Sequence, residues 1–293
     1  MPAADRSEPL ETSPTSGELD ALSRWAIDYV SSTDLQRKIR PVAPPRAEDP
    51  AESSAPVPRE TLRVSQPGRP PELDVVTRSP KSKGRGAMVK PLERARLLHT
   101  FWHHELQAAE LFCWAVLAFP ETPDEFRMGL VRLWADEVRH MRLYQRRIEA
   151  LGSSLGDFPV RDWFWSRVPT AQTPVEFLAL MGLGLEAANL DHADRFAEWL
   201  DEAGDPLSAA VQRRVGRDEV EHVRFSRTWF ERLGGRSVSF DAWSEALADP
   251  LTPVMFVGPT VARAARKEAG LDDQFVDALV RARADHLARS RDR

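Results

Sequence analysis

Six side chains that can bind a metal ion occur in two similar patterns along the chain. Each pattern has one glutamate, a long gap, and a second glutamate followed three positions later by a histidine: Glu105, Glu137 and His140, then Glu186, Glu219 and His222. The two glutamates are 32 residues apart in the first pattern and 33 in the second. Helical bundles hold a pair of iron or manganese ions with this ligand arrangement. The sequence therefore predicts a dinuclear metal centre.

Apolar periodicity places all six residues on the buried faces of four predicted helices. On the second helix, for example, Leu133, Glu137, His140 and Tyr144 follow one another at three- or four-residue steps, the spacing of a core-facing stripe. Buried carboxylates without partners cost several kcal/mol, and four in one core would repel each other. Two divalent cations would remove both penalties, because four carboxylates balance their charge.

Polar residues near these positions have their own interpretations. Glu110 and Asp191 each follow a predicted ligand by five residues, which is about 140° around a helix, so we expect them outside the metal cluster. Asp136 and Asp218 precede the second glutamate of each pattern. They either hold the ligand histidines by hydrogen bonds or lie on the helix surface. Asn189, one turn after Glu186, is a further candidate for a hydrogen bond to a ligand.

Aromatic and histidine residues near the ligands are more simply explained by packing. Tyr144, one turn after His140, is expected in the core, with a redox role as the alternative. His99, His103 and His104 crowd the first helix, and packing is favoured for all three, with a site role kept open for His103. Gly182 and Gly184 near Glu186 allow either close helix packing or room for a substrate.

Start and stop signals delimit the four helices that carry the ligands. The predicted starts include two Thr-Pro N-caps, and the spans are Pro91–Phe119, Thr122–Gly152, Thr173–Ala203 and Asp205–Gly235. Roughly 20 residues separate the second helix from the third, whereas the other connections are short. This crossover includes the aromatic stretch 162–165 and is expected to pack over one end of the bundle.

The rest of the chain divides by composition. We expect a disordered amino terminus over 1–16, an amphipathic helix over 17–40 and a Pro-rich extended linker over 41–89. The four-helix domain occupies 90–235, and a helical extension over 236–293 contains helices near 239–248 and 271–289. The predicted fold class is all-α: a four-helix bundle with one long crossover between helices 2 and 3, plus extra N- and C-terminal helices.

Composition argues against several classes of function and location. The 293 residues are 42% hydrophobic and carry a net charge of −5, which argues against a nucleic-acid surface. A single cysteine, Cys113, fits a reducing compartment. No signal peptide is recognisable over 1–12, and the apolar stretch 177–185 is too short to cross a bilayer. We therefore expect a cytoplasmic protein that does not bind membranes.

The motifs resemble those of known metal proteins. The string 136–140, Asp-Glu-Val-Arg-His, resembles the form found in di-iron monooxygenases and desaturases of the ferritin-like superfamily of carboxylate-bridged di-metal proteins. The strings 103–110 and 218–223 are similar to those of an uncharacterised bacterial ferritin-like family, domain of unknown function 455. The resemblance covers 90–233, and more weakly 19–45. It implies that Glu137 and Glu219 bridge the metals. The terminal ligands that it implies are Glu105, Glu186, His140 and His222.

The expected function is an O2-activating oxidoreductase with two iron ions, acting on a small organic substrate. Its expected partners are that substrate, O2 and an electron-donating reductase, and a homodimer is compatible with the sequence. Manganese is possible because carboxylate and imidazole ligands suit both metals. The alternatives are a ferroxidase or iron-handling protein, a manganese catalase, a tRNA-modifying hydroxylase and a module that uses metal only for stability. No catalytic residue is predicted beyond the ligands.

Overall fold

The computed structural model describes residues 19–45, 59–78 and 83–291; the disorder predicted for 1–16 lies outside these ranges. Within them the chain is helical, and the only β-type contact is an isolated bridge between Val75 and Val160. The helices are α1 (Ala21–Ser31), α2 (Leu35–Ile39), α3 (Pro91–Ala118), α4 (Asp124–Ala150), α5 (Pro174–Leu180), α6 (Ala187–Glu202), α7 (Pro206–Gly234), α8 (Phe240–Glu245), α9 (Arg263–Glu268) and α10 (Asp273–Arg291). None of the described helices is both long and apolar enough to span a bilayer.

The long helices pack around one core. Helix α3 lies along α4, α6 lies along α7, and both α4 and α5 contact α7. Large apolar side chains from these helices are fully buried between them, including Trp102, Leu130, Leu183 and Phe230. The prediction of an all-helical fold is confirmed.

Capping explains most of the helix boundaries. The Thr173 side chain accepts a hydrogen bond from the Glu176 amide at the start of α5, as predicted. Asp205 caps α7 in the same way, and α7 ends where Gly235 adopts a left-handed conformation with φ of 64°. The cap predicted at Thr122 is wrong, because its hydroxyl donates to the Phe119 carbonyl oxygen at 2.7 Å and α4 begins two residues later.

The helix predicted over 173–203 is interrupted by a π-helical turn, Met181–Glu186, between α5 and α6. Such wide turns are rare and are frequent at functional sites. A Cβ atom on Gly182 would lie 1.9 Å from Ser226 Oγ, and one on Gly184 would lie 3.2 Å from a Phe256 ring carbon. Both glycines therefore allow close packing, and the turn brings Glu186 to its position beside α7.

The helix predicted over 17–40 is instead two helices. Its α1 part packs on α3 and its α2 part on α4. The break follows from local chemistry: the Asp34 side chain accepts the Gln36 amide at 2.7 Å and so starts α2 as a new helix.

Residues 59–78, the longest described part of the linker, are called the strap below. It is extended, as predicted, but it is packed against the helices. The Leu62 amide donates to the Leu117 carbonyl oxygen at 3.0 Å, and the Val76 amide donates to the Val160 carbonyl oxygen at 2.8 Å. A 3₁₀ turn over Arg85–Val89, which was not predicted, then leads into α3. The strap therefore belongs to the folded structure.

The C-terminal extension is helical as expected, with α8 and α10 near the predicted positions. Helix α9 between them was not predicted; it contacts both α6 and α7.

Candidate metal centre

The structure brings the six predicted ligands together in the core. One comes from α3, two from α4, one from the end of the π turn and two from α7. All six are buried, with at most 4% of each residue exposed. Their donor atoms form two groups, within each of which all atoms lie within 4.8 Å of one another: Glu105, Glu137, His140 and Glu219; and Glu137, Glu186, Glu219 and His222. Glu137 and Glu219 belong to both groups, the arrangement that bridging ligands require.

Several donor atoms face one another without hydrogen bonds. His222 Nδ1 lies 2.9 Å from Glu137 Oε1 and 2.9 Å from Glu219 Oε2. These contacts have ion-pair distances but lack the directional geometry of hydrogen bonds, and Glu186 Oε1 also lacks a hydrogen bond of good geometry. Buried polar atoms are normally paired. Four buried donor atoms in one cluster therefore have hydrogen-bonding capacity that the described residues do not satisfy, in two groups that could each hold a metal ion.

The carboxyl groups of the cluster differ in the direction of their pKa shifts. Burial and then the Glu137 charge raise the pKa of Glu105 well above its usual value. Burial and then the Glu219 charge do the same to Glu186. Burial also disfavours a charge on Glu137, but His222 and His140 outweigh it and lower the pKa of that carboxyl group. The cluster thus retains protons where cations would otherwise compensate its charge.

The two histidines hold their protons more strongly than an ordinary imidazole does. Burial lowers the pKa of His140, but Glu137, Asp218 and Glu219 together outweigh burial and raise it to about 9. For His222, Glu219 and Glu137 outweigh burial and raise the pKa well above its usual value. Because metal ions bind neutral imidazole, binding would release these protons.

Each histidine is anchored by an aspartate from the opposite pattern. His140 on α4 places Nε2 3.3 Å from Asp218 Oδ2 on α7, and His222 on α7 places Nε2 3.5 Å from Asp136 Oδ2 on α4. Arg139 joins both aspartates, with nitrogen–oxygen distances of 2.5 Å to Asp136 and 3.0 Å to Asp218. The hydrogen-bonding interpretation of the aspartates is thus confirmed. With Nε2 anchored in this way, Nδ1 faces the carboxylates.

Two further polar residues differ in their relation to the site. The Asn189 amide donates to Glu219 Oε1 at 3.3 Å, so it orients a ligand carboxylate. Tyr144 donates to Gln212 Oε1 at 2.9 Å and packs against Phe101. The packing interpretation of Tyr144 fits these contacts.

Asp191 lies outside the cluster, as predicted. Its carboxylate accepts two hydrogen bonds from the Arg266 guanidinium, at 2.9 and 2.8 Å, and both side chains are fully buried. It also accepts the Gly258 and Ala262 amides, each at 2.9 Å. Asp191 therefore fastens the C-terminal extension to α6.

Glu110 is also outside the cluster and forms a second buried ion network. Its carboxylate contacts Arg69 of the strap at 2.6 Å and Lys38 of α2 at 2.8 Å, and accepts the Trp165 indole N–H at 2.9 Å. Burial raises its pKa, but Arg69 and Lys38 outweigh burial and lower it. No sequence pattern pointed to Arg69, because its partners are distant in the chain.

His103 faces away from the metal cluster and contacts the crossover. Its Nε2 lies 3.0 Å from Asp162 Oδ1, and Arg69 Nε lies 2.9 Å from Asp162 Oδ2. Asp162 thus joins His103 to the network around Glu110. Sequence reasoning identified the aromatic crossover but missed the role of Asp162.

The predicted ligands, the anchored histidines and the helical fold can be compared with known proteins. Neither the curated proteins nor the solved structures gave a match to this chain. Residues 31–277 match a family described as "Protein of unknown function (DUF455)". That span contains α2 to α9, the first turn of α10 and all six clustered ligand candidates, so the chain belongs to this family of proteins of unknown function.

Proposed function

We propose that the chain is a ferritin-like four-helix bundle that binds two metal ions and acts as an O2-activating oxidoreductase on a small organic substrate. The observation that carries the proposal is the convergence of six buried side chains in two groups that share Glu137 and Glu219, with several donor atoms that make no hydrogen bond of good geometry. Only cations or protons can compensate four converging carboxylates in a core.

The connections between the helices support the ferritin-like part of the proposal. Short segments join α3 to α4 and α6 to α7, whereas residues 151–173 form the long crossover between α4 and α5. Four-helix bundles with one long crossover include the carboxylate-bridged di-metal proteins. The π turn that ends at Glu186 adds support, because such turns often shape metal and cofactor sites.

The donor set supports iron, with manganese as the alternative. Four carboxylates and two imidazoles are oxygen and nitrogen ligands that suit both metals, and no sulfur ligand belongs to the described cluster. Bound iron would supply the capacity to reduce O2 with external electrons and oxidise a substrate.

The chain's own contribution is to hold and enclose these donors. Asp218 and Asp136 fix the Nε2 atoms of the two imidazoles, so that both Nδ1 atoms face the carboxylates. Asn189 orients Glu219, and Phe112 covers His222 with its ring centroid 6.2 Å away in an edge-on arrangement. These contacts pre-organise the ligands and exclude water from one side of the cluster.

Metal analysis followed by oxygen uptake tests the proposal. Protein purified without added metal should contain about two iron ions per chain and consume O2 when given a reductant. Glu137→Ala should abolish paired binding, because Glu137 belongs to both ligand groups. Glu149→Ala, on the exposed face of the same helix, is the matched control and should keep both ions.

Different outcomes would contradict the bridging role, the oxidoreductase activity and the choice of metal. Two ions at full occupancy in the Glu137→Ala protein would refute the bridging role. An iron-loaded protein that is inert to O2 would refute the oxidoreductase assignment, while leaving the metal site intact. Bound manganese with peroxide turnover would favour a catalase instead.

A further inference from the structure

A cavity of about 440 Å³ lies between the outer face of α3, the crossover and the end of the strap. Its walls include six polar or aromatic side chains: Arg78, Thr100, His103, His104, Arg161 and Trp163. His103 precedes Glu105 by two positions, which is about 200° around the helix. The cavity is therefore on the side of α3 opposite the metal cluster, and its occupant would not contact the metal ligands.

The inner wall of this cavity is rigid. His103 is 2% exposed and is fixed by Asp162, which is in turn held by Arg69. The neighbouring wall residue Val160 exchanges two backbone hydrogen bonds with the strap, accepting the Val76 amide at 2.8 Å and donating to the Asp74 carbonyl oxygen at 2.9 Å. A site with walls already fixed loses little conformational entropy on binding.

The mouth of the cavity carries positive charge. Arg78 and Arg161 are exposed, and neither forms an ion pair with a carboxylate of the described residues. Asp162, which follows Arg161 in the chain, is already paired with Arg69 at 2.9 Å. Arg167 lies over the Trp163 ring at 4.0 Å, and burial followed by the charge of Arg161 lowers its pKa. Arg161 and Arg167 thus lie close enough to influence each other, and neither forms an ion pair with a carboxylate of the described residues.

We propose that this cavity binds a small organic anion that carries a carboxylate or phosphate group on a planar ring. The oxyanion would lie between Arg78 and Arg161, because guanidinium groups bind such oxygens in a bidentate manner. The ring would pack against Trp163, whose indole lines the cavity. The volume is that of ordinary small-molecule sites. This proposal does not depend on the metals and goes beyond the proposed function.

Isothermal titration calorimetry of the full-length protein tests it, with phenyl phosphate, benzoate and neutral phenol as probes. At least one anion should bind saturably, and phenol should bind at least about tenfold more weakly. Stronger binding of phenyl phosphate would identify a phosphate-bearing ligand, and stronger binding of benzoate a carboxylate.

Two variants locate the binding. The double substitution Arg78→Ala with Arg161→Ala should weaken anion binding at least about tenfold. The control is Arg281→Ala with Arg289→Ala, which removes the same charge from the exposed face of α10 and should leave the affinity unchanged. Arg161→Glu is a second variant that should abolish binding, and thermal midpoints like that of the unchanged protein would show that the variants are folded.

Two results would overturn the proposal. One is the absence of saturable binding of either anion at millimolar concentration. The other is anion binding that persists in the Arg78, Arg161 double variant and in Arg161→Glu, since this would place the anion elsewhere, for example at the metal centre. Neither result bears on metal content or oxygen uptake, so failure here is distinguishable from failure of the proposed function.

Discussion

Removal of the Arg69 side chain should destabilise the protein by about 3 kcal/mol. Arg69 makes four close contacts with two carboxylates: 2.6 and 2.7 Å to Glu110, and 3.1 and 2.9 Å to Asp162. Loss of one partner from a buried ion pair costs about 3–5 kcal/mol. The lower end applies because Lys38 remains 2.8 Å from Glu110. Glu110 could also take up a proton instead of keeping an unpaired charge. For an ordinary glutamate at pH 7 this costs about 3.7 kcal/mol, which is therefore the largest loss that the unpaired Glu110 charge can cause.

Urea unfolding and thermal melting of an Arg69→Met variant measure this loss, because methionine keeps most of the side-chain volume. A loss of about 3 kcal/mol should lower the thermal midpoint by about 6–12 °C. The control is Arg63→Met, on the same strap, whose guanidinium contacts only the carbonyl oxygens of Ala171 and Gln172 among hydrogen-bond acceptors of the described chain. Arg63 also lies over the Trp114 and Phe119 rings, but it is exposed and contacts no carboxylate of the described residues, so this control should cost only about 1–2 kcal/mol.

A double-mutant cycle identifies the interaction itself. Glu110→Gln should cost much less in the Arg69→Met background than in the unchanged protein, with a coupling above about 1 kcal/mol. Additive effects of the two substitutions, or equal losses from Arg69→Met and Arg63→Met, would refute the view that the strap is held by this ion network.

Three other predictions follow from the contacts described above. Chelator competition should show metal affinity falling by at least about tenfold per pH unit below pH 9, because the His140 proton, with a pKa of about 9, must leave; a flat profile would contradict this. Gly182→Ala should lower the free energy of unfolding by about 1–3 kcal/mol through collision with Ser226, and Ser226→Gly should restore it; no rescue would argue against the clash. Asp191→Asn should speed hydrogen exchange in α9 and α10, because buried Arg266 loses its carboxylate partner; unchanged exchange would show that other contacts hold the extension.

Periodicity allowed the six clustered residues to be predicted from sequence. Glu137 and His140 occupy positions in a local apolar stripe, and the same stripe fixes which side of α4 is buried. The exclusion of Glu110 and Asp191 rested on the same local geometry. Helix ends were predictable where a side chain caps its own helix, as at Thr173, and were wrong at Thr122, where the hydroxyl bonds backwards to the preceding helix.

Features that depend on distant partners were not predictable. Arg69 is 41 residues from Glu110 and 93 from Asp162, and nothing in a Pro-rich segment distinguishes an arginine that enters the core from one in solvent. Apart from Gly182 and Gly184, no residue pattern predicted the π turn, because its position along the helix depends on how closely α7 approaches. Sequence also left open whether Asp136 and Asp218 contact histidines.

The crossed anchoring of the histidines makes the centre sensitive to the order of synthesis. A chain that has emerged from the ribosome only as far as α4 already contains Glu105, Glu137 and His140, but the aspartate that orients His140 belongs to α7. Because domains generally fold as units during synthesis, the first half alone presents a poorly oriented imidazole and lacks both Glu186 and Glu219. If the cluster binds metal ions as proposed, capture therefore waits until α7 has docked, which protects the unfinished chain from premature binding of a reactive metal.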